Sequence, residues 1–114
     1  MANPISAQQA LARLQSLCSR GEKCIADVRA KLRLWQIEEE ESNKIIKILL
    51  EDKYIDENRY TSAFVRDKSR FSHWGAIKIR AVLKAKNIPD SIINNALKEL
   101  DSTNYENDLK AILK

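Results

Sequence analysis

The chain has 114 residues, of which 44% are apolar and 32% are charged, and its 20 Lys and Arg against 16 Asp and Glu give a formal net charge of +4. Only two Gly and two Pro are present; because strands joined by tight turns need more of these residues, the composition predicts an all-α protein. Recurring Leu, Ile and Val argue against a disordered chain, and two Cys exclude a disulfide framework.

The first two helices are predicted from apolar residues at helical spacing. Ser6 is placed to cap a first helix, whose apolar face extends over residues 7–18 and which Gly21 ends. A second helix is expected over about residues 25–35. The residues expected to face inward on the second helix are Ile25, Val28, Leu32 and Trp35.

A third helix is expected over about residues 40–52, preceded by the four glutamates of residues 38–41. Carboxylates at a helix N-terminus interact favourably with the positive end of the helix dipole, so this acidic run is interpreted as a helix start rather than as a metal or catalytic cluster. The residues expected to face inward are Ile45, Ile48, Leu49 and Leu50.

The second half of the chain repeats this order. Asp56 is expected to cap a fourth helix, Gly75 to open a fifth and Pro89 to open a sixth. A last apolar pattern begins after Ser102 and is cut off by the chain end. The apolar residues expected to face inward are Tyr60, Ala63, Phe64, Ala76, Ile79, Val82, Leu83, Ile92, Ile93, Ala96, Leu97 and Leu100, with Phe71 as a weaker candidate.

Two matches within the sequence indicate an internal repeat. Residues 28–32 match residues 79–83 at an offset of 51, whereas Ile45 matches Ile92 at an offset of 47, with a four-residue slip assigned to the Glu-rich loop. A period near 50 predicts tandem three-helix repeats in an elongated row. The predicted units are 6–55, 56–101 and, as the first helix of an incomplete third repeat, 102–114.

Charge is strongly segregated along the chain. Residues 1–37 carry a net charge of +4, residues 38–57 carry −5, and residues 66–88 carry +6. The basic segment is either a set of solvated helix faces or a docking face for an anionic partner, and the charge pattern alone leaves both readings open.

The second helix of each repeat favours the docking interpretation. Opposite the inward residues, each helix carries small or apolar side chains beside two cations four residues apart, Arg29 with Arg33 and Arg80 with Lys84. Like charges at this spacing destabilise an isolated helix by a few tenths of a kcal/mol. Their presence in both repeats suggests an anionic partner, although simple duplication of an ancestral unit is an alternative.

Three stretches of the chain carry motifs in a fixed order: Glu22–Leu32, Tyr54–Tyr60 and Trp74–Leu83. They resemble the RecX family, whose corresponding patterns are E-x-S-x-x-E-L-x-x-K-L, L-D-D-x-R-Y-A and W-G-x-x-R-I-x-x-x-L. The resemblance implies a row of three-helix repeats. It also implies a protein without enzymatic chemistry that binds the RecA recombinase, lies in the groove of the RecA–DNA filament and restrains its growth and activity.

The sequence departs from that family at several helix ends. Cys24 stands where the family often has a capping Ser, and Asp27 stands where it has Glu, which weakens the expected capping box. Gln36 and Asn87 occupy positions where Gly often ends the second helix, and Asn adopts the left-handed conformation more readily than Gln.

We therefore expect a regulator of the RecA filament, with partners that are RecA itself and, through phosphates, single- or double-stranded DNA. The alternatives are a DNA-binding module of helix-turn-helix type, which the scarcity of Asn and Gln on the second helices disfavours, and a scaffold that pairs with its own copies. The residues expected to bind RecA or DNA are Arg29, Arg33, Arg66, Arg70, Lys78, Arg80 and Lys84.

Enzymatic function is not expected. The sequence has no Gly-rich phosphate loop, no nucleophile with a partnered base and no spacing for a metal site, so no catalytic residue, cofactor or small-molecule substrate is expected. His73 is interpreted as a turn residue, Trp35 as a core residue and Trp74 as a hydrophobic staple at a helix start. The lack of a signal peptide and of a long apolar run predicts a cytoplasmic protein without membrane contact.

Overall fold

The computed structural model describes residues 5–100, and all regular secondary structure in that range is α-helix. The all-α prediction is therefore confirmed. The predicted helix after Ser102, the start of an incomplete third repeat, lies outside the described residues. The helices are α1 (Ala7–Arg20), α2 (Ile25–Leu34), α3 (Glu39–Glu51), α4 (Glu57–Arg70), α5 (Ala76–Ala85) and α6 (90–100).

The N-terminus of α1 is fixed by the predicted cap. The backbone N–H of Gln9 donates to Oγ of Ser6 over 3.1 Å, and the backbone N–H of Ser6 donates to Oε1 of Gln9 over 3.0 Å. This reciprocal capping box satisfies two donors at the helix start. Gly21 follows the last residue of α1, as expected.

Backbone contacts divide the chain into two compact units, with the boundary between Tyr60 and Thr61, inside α4. Each unit has its own set of buried apolar side chains. The core of the first unit consists of Ala10, Leu14, Val28, Leu32, Ile45, Ile46, Leu49 and Ile55. The buried apolar residues of the second unit are Val65, Ile79, Leu83, Ile88, Ile93 and Ala96.

The buried residues of the two halves follow each other at an offset of 51 residues, as Ala10 and Thr61 do, although α1 and α4 themselves start 50 residues apart. The ten-residue helices α2 and α5 start at Ile25 and Ala76, and α3 and α6 start at residues 39 and 90. The predicted slip to an offset of 47 is therefore wrong: buried Ile45 corresponds to buried Ala96, not to Ile92. A slip of four residues is close to one helical turn, so the shifted register matched the apolar residues almost as well.

The inward face of α3 also differs from the prediction. Ile45 and Leu49 are buried as expected, but Ile46 is buried in place of Ile48 and Leu50, which are both 38% exposed. The buried side chains Ser42, Ile45, Ile46 and Leu49 have the i, i+3, i+4, i+7 spacing of one helix face. Because five of the six residues from Ile45 to Leu50 are apolar, composition alone did not define this face. In the second unit, Phe71 is 74% exposed and Ala76 is also exposed, rather than inward-facing.

The C-termini of α2 and α5 end in the same way without glycine. Gln36 and Asn87 adopt left-handed backbone conformations, with φ of 60° and 62°. The N–H of Ile37 donates to the carbonyl of Leu32 over 3.0 Å, and the N–H of Ile88 donates to the carbonyl of Leu83 over 3.1 Å. These bonds belong to a Schellman motif, which satisfies carbonyls that the helix leaves without intrahelical partners.

Candidate partner-binding surfaces

The outward faces of α2 and α5 carry the predicted basic stripe. Val28 and Leu32 are buried while Arg33 is exposed, and in α5 Ile79 and Leu83 are buried while Lys84 is exposed. The orientation predicted for these two helices is thus confirmed. Apolar side chains are exposed beside the cations: Leu34 by 69% and Ile77 by 89%.

The two cations of the first unit differ in how they are held. Nη1 of Arg29 donates to Oδ1 of Asn43 over 3.0 Å, which connects α2 to α3 and fixes the position of the guanidinium. Arg33 lies in the last turn of α2 and is exposed. Arg29 is therefore the pre-positioned member of the pair.

In the second unit, Lys84 is the cation with a fixed partner. Its Nζ lies 3.3 Å from Oδ1 of Asp90 at the start of α6, and both side chains are more than half exposed. An exposed ion pair of this kind contributes little to stability, so exchanging Asp90 for a partner's carboxylate or phosphate costs little. Arg80, one turn earlier, is partly exposed.

Lys78, one of the predicted partner contacts, lies off the stripe on α5 and faces an aromatic ring. Its Nζ lies 4.2 Å from the ring centroid of Trp74, and Nζ of Lys68 lies 4.7 Å from the same centroid. Trp74 also packs edge-to-face against Phe64, with 6.2 Å between ring centroids. Trp74 is therefore the centre of an aromatic cluster with lysines over its rings.

Sequence reasoning missed two members of this cluster, Lys68 and Lys86, whose Nζ atoms lie 5.7 and 5.8 Å from the Phe64 ring. Spacing was the available signal for Lys68, because Phe64 and Lys68 are four residues apart on α4 and share a helix face. Lys86 follows the last residue of α5, and no local spacing links it to Phe64.

Arg66 and Arg70 line one cleft of about 370 Å³ in the second unit, together with His73. The predicted cations on α4 are therefore brought together. The acidic side chain Glu99 lines the same cleft, so its electrostatic character is mixed. The remaining residues of the lining are Ser62, Val65, Ser69, Ala96 and Leu100.

A second cleft, of about 430 Å³, lies in the first unit between α1 and α2 and was not predicted. We call it the α1–α2 groove. Its apolar lining includes the exposed Leu34. The sequence offered one sign of this groove, because Leu34 is a large apolar residue that lies off the Val28–Leu32 face of α2. The lining residues are Leu14, Leu17, Lys23, Asp27, Val28, Ala30, Lys31 and Leu34.

The motif of residues 54–60 has a structural role in the first unit. Nε of Arg59 lies 2.6 Å from Oε2 of Glu22, and its Nη2 donates to the carbonyls of Lys53 and Tyr54 over 3.1 and 3.2 Å. The hydrogen bond to Glu22 is the main reason that the pKa of Arg59 is raised. This arginine joins the loop before α2 to the end of α3.

A neighbouring contact in the same motif holds the start of α2. The N–H of Ile25 donates to Oε1 of Glu57 over 2.8 Å, and the N–H of Cys24 donates to Oδ2 of Asp27 over 3.4 Å. The capping arrangement thus persists with Cys24 and Asp27. Burial is the main cause of the raised pKa of the nearby Cys18 thiol.

Within residues 5–100, no group of three His, Cys, Asp or Glu side chains is arranged to hold a metal ion. No helix in this range is both long enough and apolar enough to cross a bilayer.

Comparison with known proteins gives a consistent family signal. Residues 56–97 match the family model described as RecX, second three-helix domain. Over 103 residues, the chain is 31% identical to regulatory protein RecX of Clostridium acetobutylicum, an alignment covering 90% of this chain and 47% of the relative. Over 78 residues it is 36% identical to regulatory protein RecX of Clostridium beijerinckii, covering 68% of this chain and 36% of that relative.

A solved structure supports the same relationship. A crystal structure of regulatory protein RecX matches with a TM-score of 0.75 and 28% identity, and the match covers 82% of this chain and 47% of that one. The chain therefore spans about half the length, or less, of the relatives described here.

Proposed function

The chain belongs to the RecX family, and on that basis we propose that it binds the RecA recombinase filament and inhibits its activity in recombination and DNA repair. It acts by binding, without enzymatic chemistry, in the bacterial cytoplasm. Its relatives are named regulatory proteins, which supports a regulatory rather than a catalytic role.

The observation that carries this proposal is the duplicated stripe on α2 and α5. At equivalent positions, each helix buries two apolar side chains and directs a cation away from them, Arg33 in one and Lys84 in the other. Electrostatic complementarity of such a stripe favours acidic surfaces of RecA, or the DNA phosphates of the filament.

We propose that the binding modules are the three-helix repeats of residues 6–55 and 56–101, continued by 102–114. Each repeat then contributes one stripe, and two linked stripes bind more tightly than either alone because the second contact is intramolecular. Arg66, Arg70 and Lys78, which lie off the stripes, are the second group of proposed contacts.

Charge reversal of the stripe tests the proposal. A variant with Arg29, Arg33, Arg80 and Lys84 all changed to Glu should lose binding to RecA filaments in co-sedimentation and lose inhibition of RecA-catalysed strand exchange. Like-charge contact across an interface costs several kcal/mol, whereas exposed substitutions change stability by about 0.5 kcal/mol or less each. Helical circular dichroism and thermal melting should therefore remain close to those of the parent chain.

A control variant makes the same total change of charge elsewhere. Lys44, Lys47, Lys53 and Lys98, all exposed and outside the stripes, are changed to Glu. This variant should retain inhibition. If the control variant loses inhibition to the same extent, net charge rather than the stripe determines binding. Retained inhibition by the stripe variant at low salt would also contradict the proposal.

The helix-turn-helix alternative is separated from RecA binding by the DNA used. Affinity for random DNA in the absence of RecA, falling steeply with salt concentration, would favour a DNA-binding module. Binding to single-stranded DNA that requires both RecA and nucleotide would show that the chain recognises the RecA filament rather than DNA alone.

A further inference from the structure

The α1–α2 groove has a counterpart in the second unit that already holds an aromatic ring. At the offset of 51 residues, the groove residues Leu17 and Asp27 correspond to Lys68 and Lys78. Both of these lysines lie over the Trp74 ring, at 4.7 and 4.2 Å from its centroid. The second unit therefore places its own indole against the positions that line the groove in the first unit.

The first unit has no such ring at the corresponding place. Trp74 corresponds to Lys23, and Phe64, which packs against Trp74, corresponds to Arg13. The groove accordingly measures about 430 Å³ and keeps an apolar floor that includes Leu14 and Leu17. It has room for a side chain that the second unit supplies internally.

Exposed apolar side chains continue the groove onto the surface. Ala30 is exposed and lines the recess, and Leu34 is 69% exposed beside it. Large apolar side chains exposed next to an apolar recess are typical of protein interaction sites.

The charge at the rim selects the partner. Lys23 and Lys31 line the groove with one carboxylate, Asp27, which already accepts a hydrogen bond from the N–H of Cys24. Residues 1–37 together carry a net charge of +4. A segment with Asp or Glu beside its apolar anchor is therefore complementary to this rim, and a basic segment is not.

We propose that the α1–α2 groove is a docking site for an acidic protein segment that inserts one aromatic side chain between α1 and α2. The aromatic ring contacts Leu14, Leu17 and Ala30, and flanking carboxylates pair with Lys23 and Lys31. The assignment of that segment to an acidic surface of the RecA filament rests on the proposed function. The chemistry of the groove is argued independently of that function.

The chemistry is tested first, on the full chain without any partner. Indole-3-acetate, a ring with a carboxylate, is titrated into isotopically labelled protein and followed by amide chemical shifts. Shifts should concentrate at Leu17, Ala30 and Leu34, with affinity of about 1–10 mM, as expected for so few non-hydrogen atoms. Tryptamine, which has the same ring with a cation, should bind at least about fivefold more weakly.

Two variants place this binding in the groove. Ala30→Trp fills the recess and should abolish the shifts, whereas Ala81→Trp, at the equivalent exposed position of α5, should leave them in place. Unchanged helical circular dichroism in both variants excludes misfolding. Absence of groove shifts with indole-3-acetate, or equal affinity for tryptamine, would overturn the proposal.

The partner is tested second. Leu34→Ser should weaken binding to RecA filaments by about tenfold, whereas Leu50→Ser on α3 should not weaken it. If indole-3-acetate binds in the groove but Leu34→Ser and Ala30→Trp both bind filaments like the parent, the site stands and its assignment to RecA is wrong. A dimer in sedimentation velocity that Ala30→Trp abolishes would instead identify a second copy as the occupant and overturn the acidic-segment proposal.

Discussion

The backbone N–H of Ile25 donates a hydrogen bond of 2.8 Å to the side chain of Glu57, 32 residues further along the chain. The bond joins the first residue of α2 to the first residue of α4, within the first unit. An N–H at the start of a helix has no intrahelical partner, so a carboxylate from another helix satisfies it and interacts favourably with the helix dipole.

This carboxylate gives stability a pH dependence. Burial raises the pKa of Glu57 above its ordinary value of 4.5, the bond from Ile25 lowers it, and Asp27 and Asp56 raise it. Because the folded-state pKa is raised, the contribution of Glu57 to folding is fully present below the unfolded-state value and is lost as pH rises through the folded-state value. Ionisation of Glu57 therefore costs more free energy in the folded chain than in the unfolded chain.

Glu57→Gln tests this relationship, since the amide oxygen still accepts from Ile25 but does not ionise. The free energy of unfolding of the variant, relative to the parent, should increase between about pH 4 and about pH 7. Denaturant unfolding at several pH values measures the difference. Glu57→Ala removes the acceptor and should be less stable than Glu57→Gln at every pH. A difference between parent and Gln variant that does not change with pH would contradict the assignment.

Local rules predicted the helices and their ends well. The N-cap at Ser6, the end of α1 at Gly21 and the start of α5 at Gly75 depend on residues within a few positions of each other, and the structure has all three. The inward residues of α2 and α5 followed from helical periodicity for the same reason.

The sequence did not define features that depend on contacts between helices. The register of α6 was misplaced by one turn because Ile92 and Ile93 are apolar and match Ile45 and Ile46 as well as their structural equivalents do. The position of Lys68 and Lys78 over Trp74 depends on how α4, α5 and the loop between them pack. The local sequence around a surface lysine does not predict this contact. The α1–α2 groove was not predicted because its volume depends on the space left between two packed helices, and local sequence patterns do not determine that space.

Leu32 and Leu83, at equivalent positions of α2 and α5, are both completely buried. Leu32→Ala and Leu83→Ala should each lower the free energy of unfolding by about 2–5 kcal/mol, because each loses apolar burial and leaves a cavity. Leu34→Ala, on an exposed side chain of the same helix, should cost about 0.5 kcal/mol or less. Denaturant unfolding compares the three. A loss below about 0.5 kcal/mol for Leu32→Ala would show that the faces of α2 are reversed.

Thr61 is completely buried, and its hydroxyl has no hydrogen-bond partner among the described residues. Its equivalent in the first unit is the apolar Ala10, also buried. Thr61→Val keeps the shape and removes the unpartnered hydroxyl, so it should raise the free energy of unfolding by about 1 kcal/mol. Ser42→Ala is the matched control, because Oγ of Ser42 donates to the carbonyl of Ile37 over 3.5 Å. Thermal melting should show the Thr61 variant stabilised and the Ser42 variant not stabilised.

Gln36 and Asn87 end α2 and α5 with the same left-handed backbone, at φ of 60° and 62°. Side chains with a Cβ are strained in this region, Gln more than Asn, whereas Gly is not, although Gly gains more freedom in the unfolded chain. Gln36→Gly should therefore raise the free energy of unfolding by about 0.5–1 kcal/mol, and Asn87→Gly should raise it by less.

Gln36→Ala separates backbone strain from loss of the Gln side chain. Alanine keeps the Cβ, so Gln36→Ala should not raise the free energy of unfolding. Thermal melting should rank the gain in stability in the order Gln36→Gly, Asn87→Gly, Gln36→Ala, from largest to smallest. Equal stability of Gln36→Gly and Gln36→Ala would mean that the Schellman bond from Ile37 to Leu32 holds the left-handed turn without measurable strain.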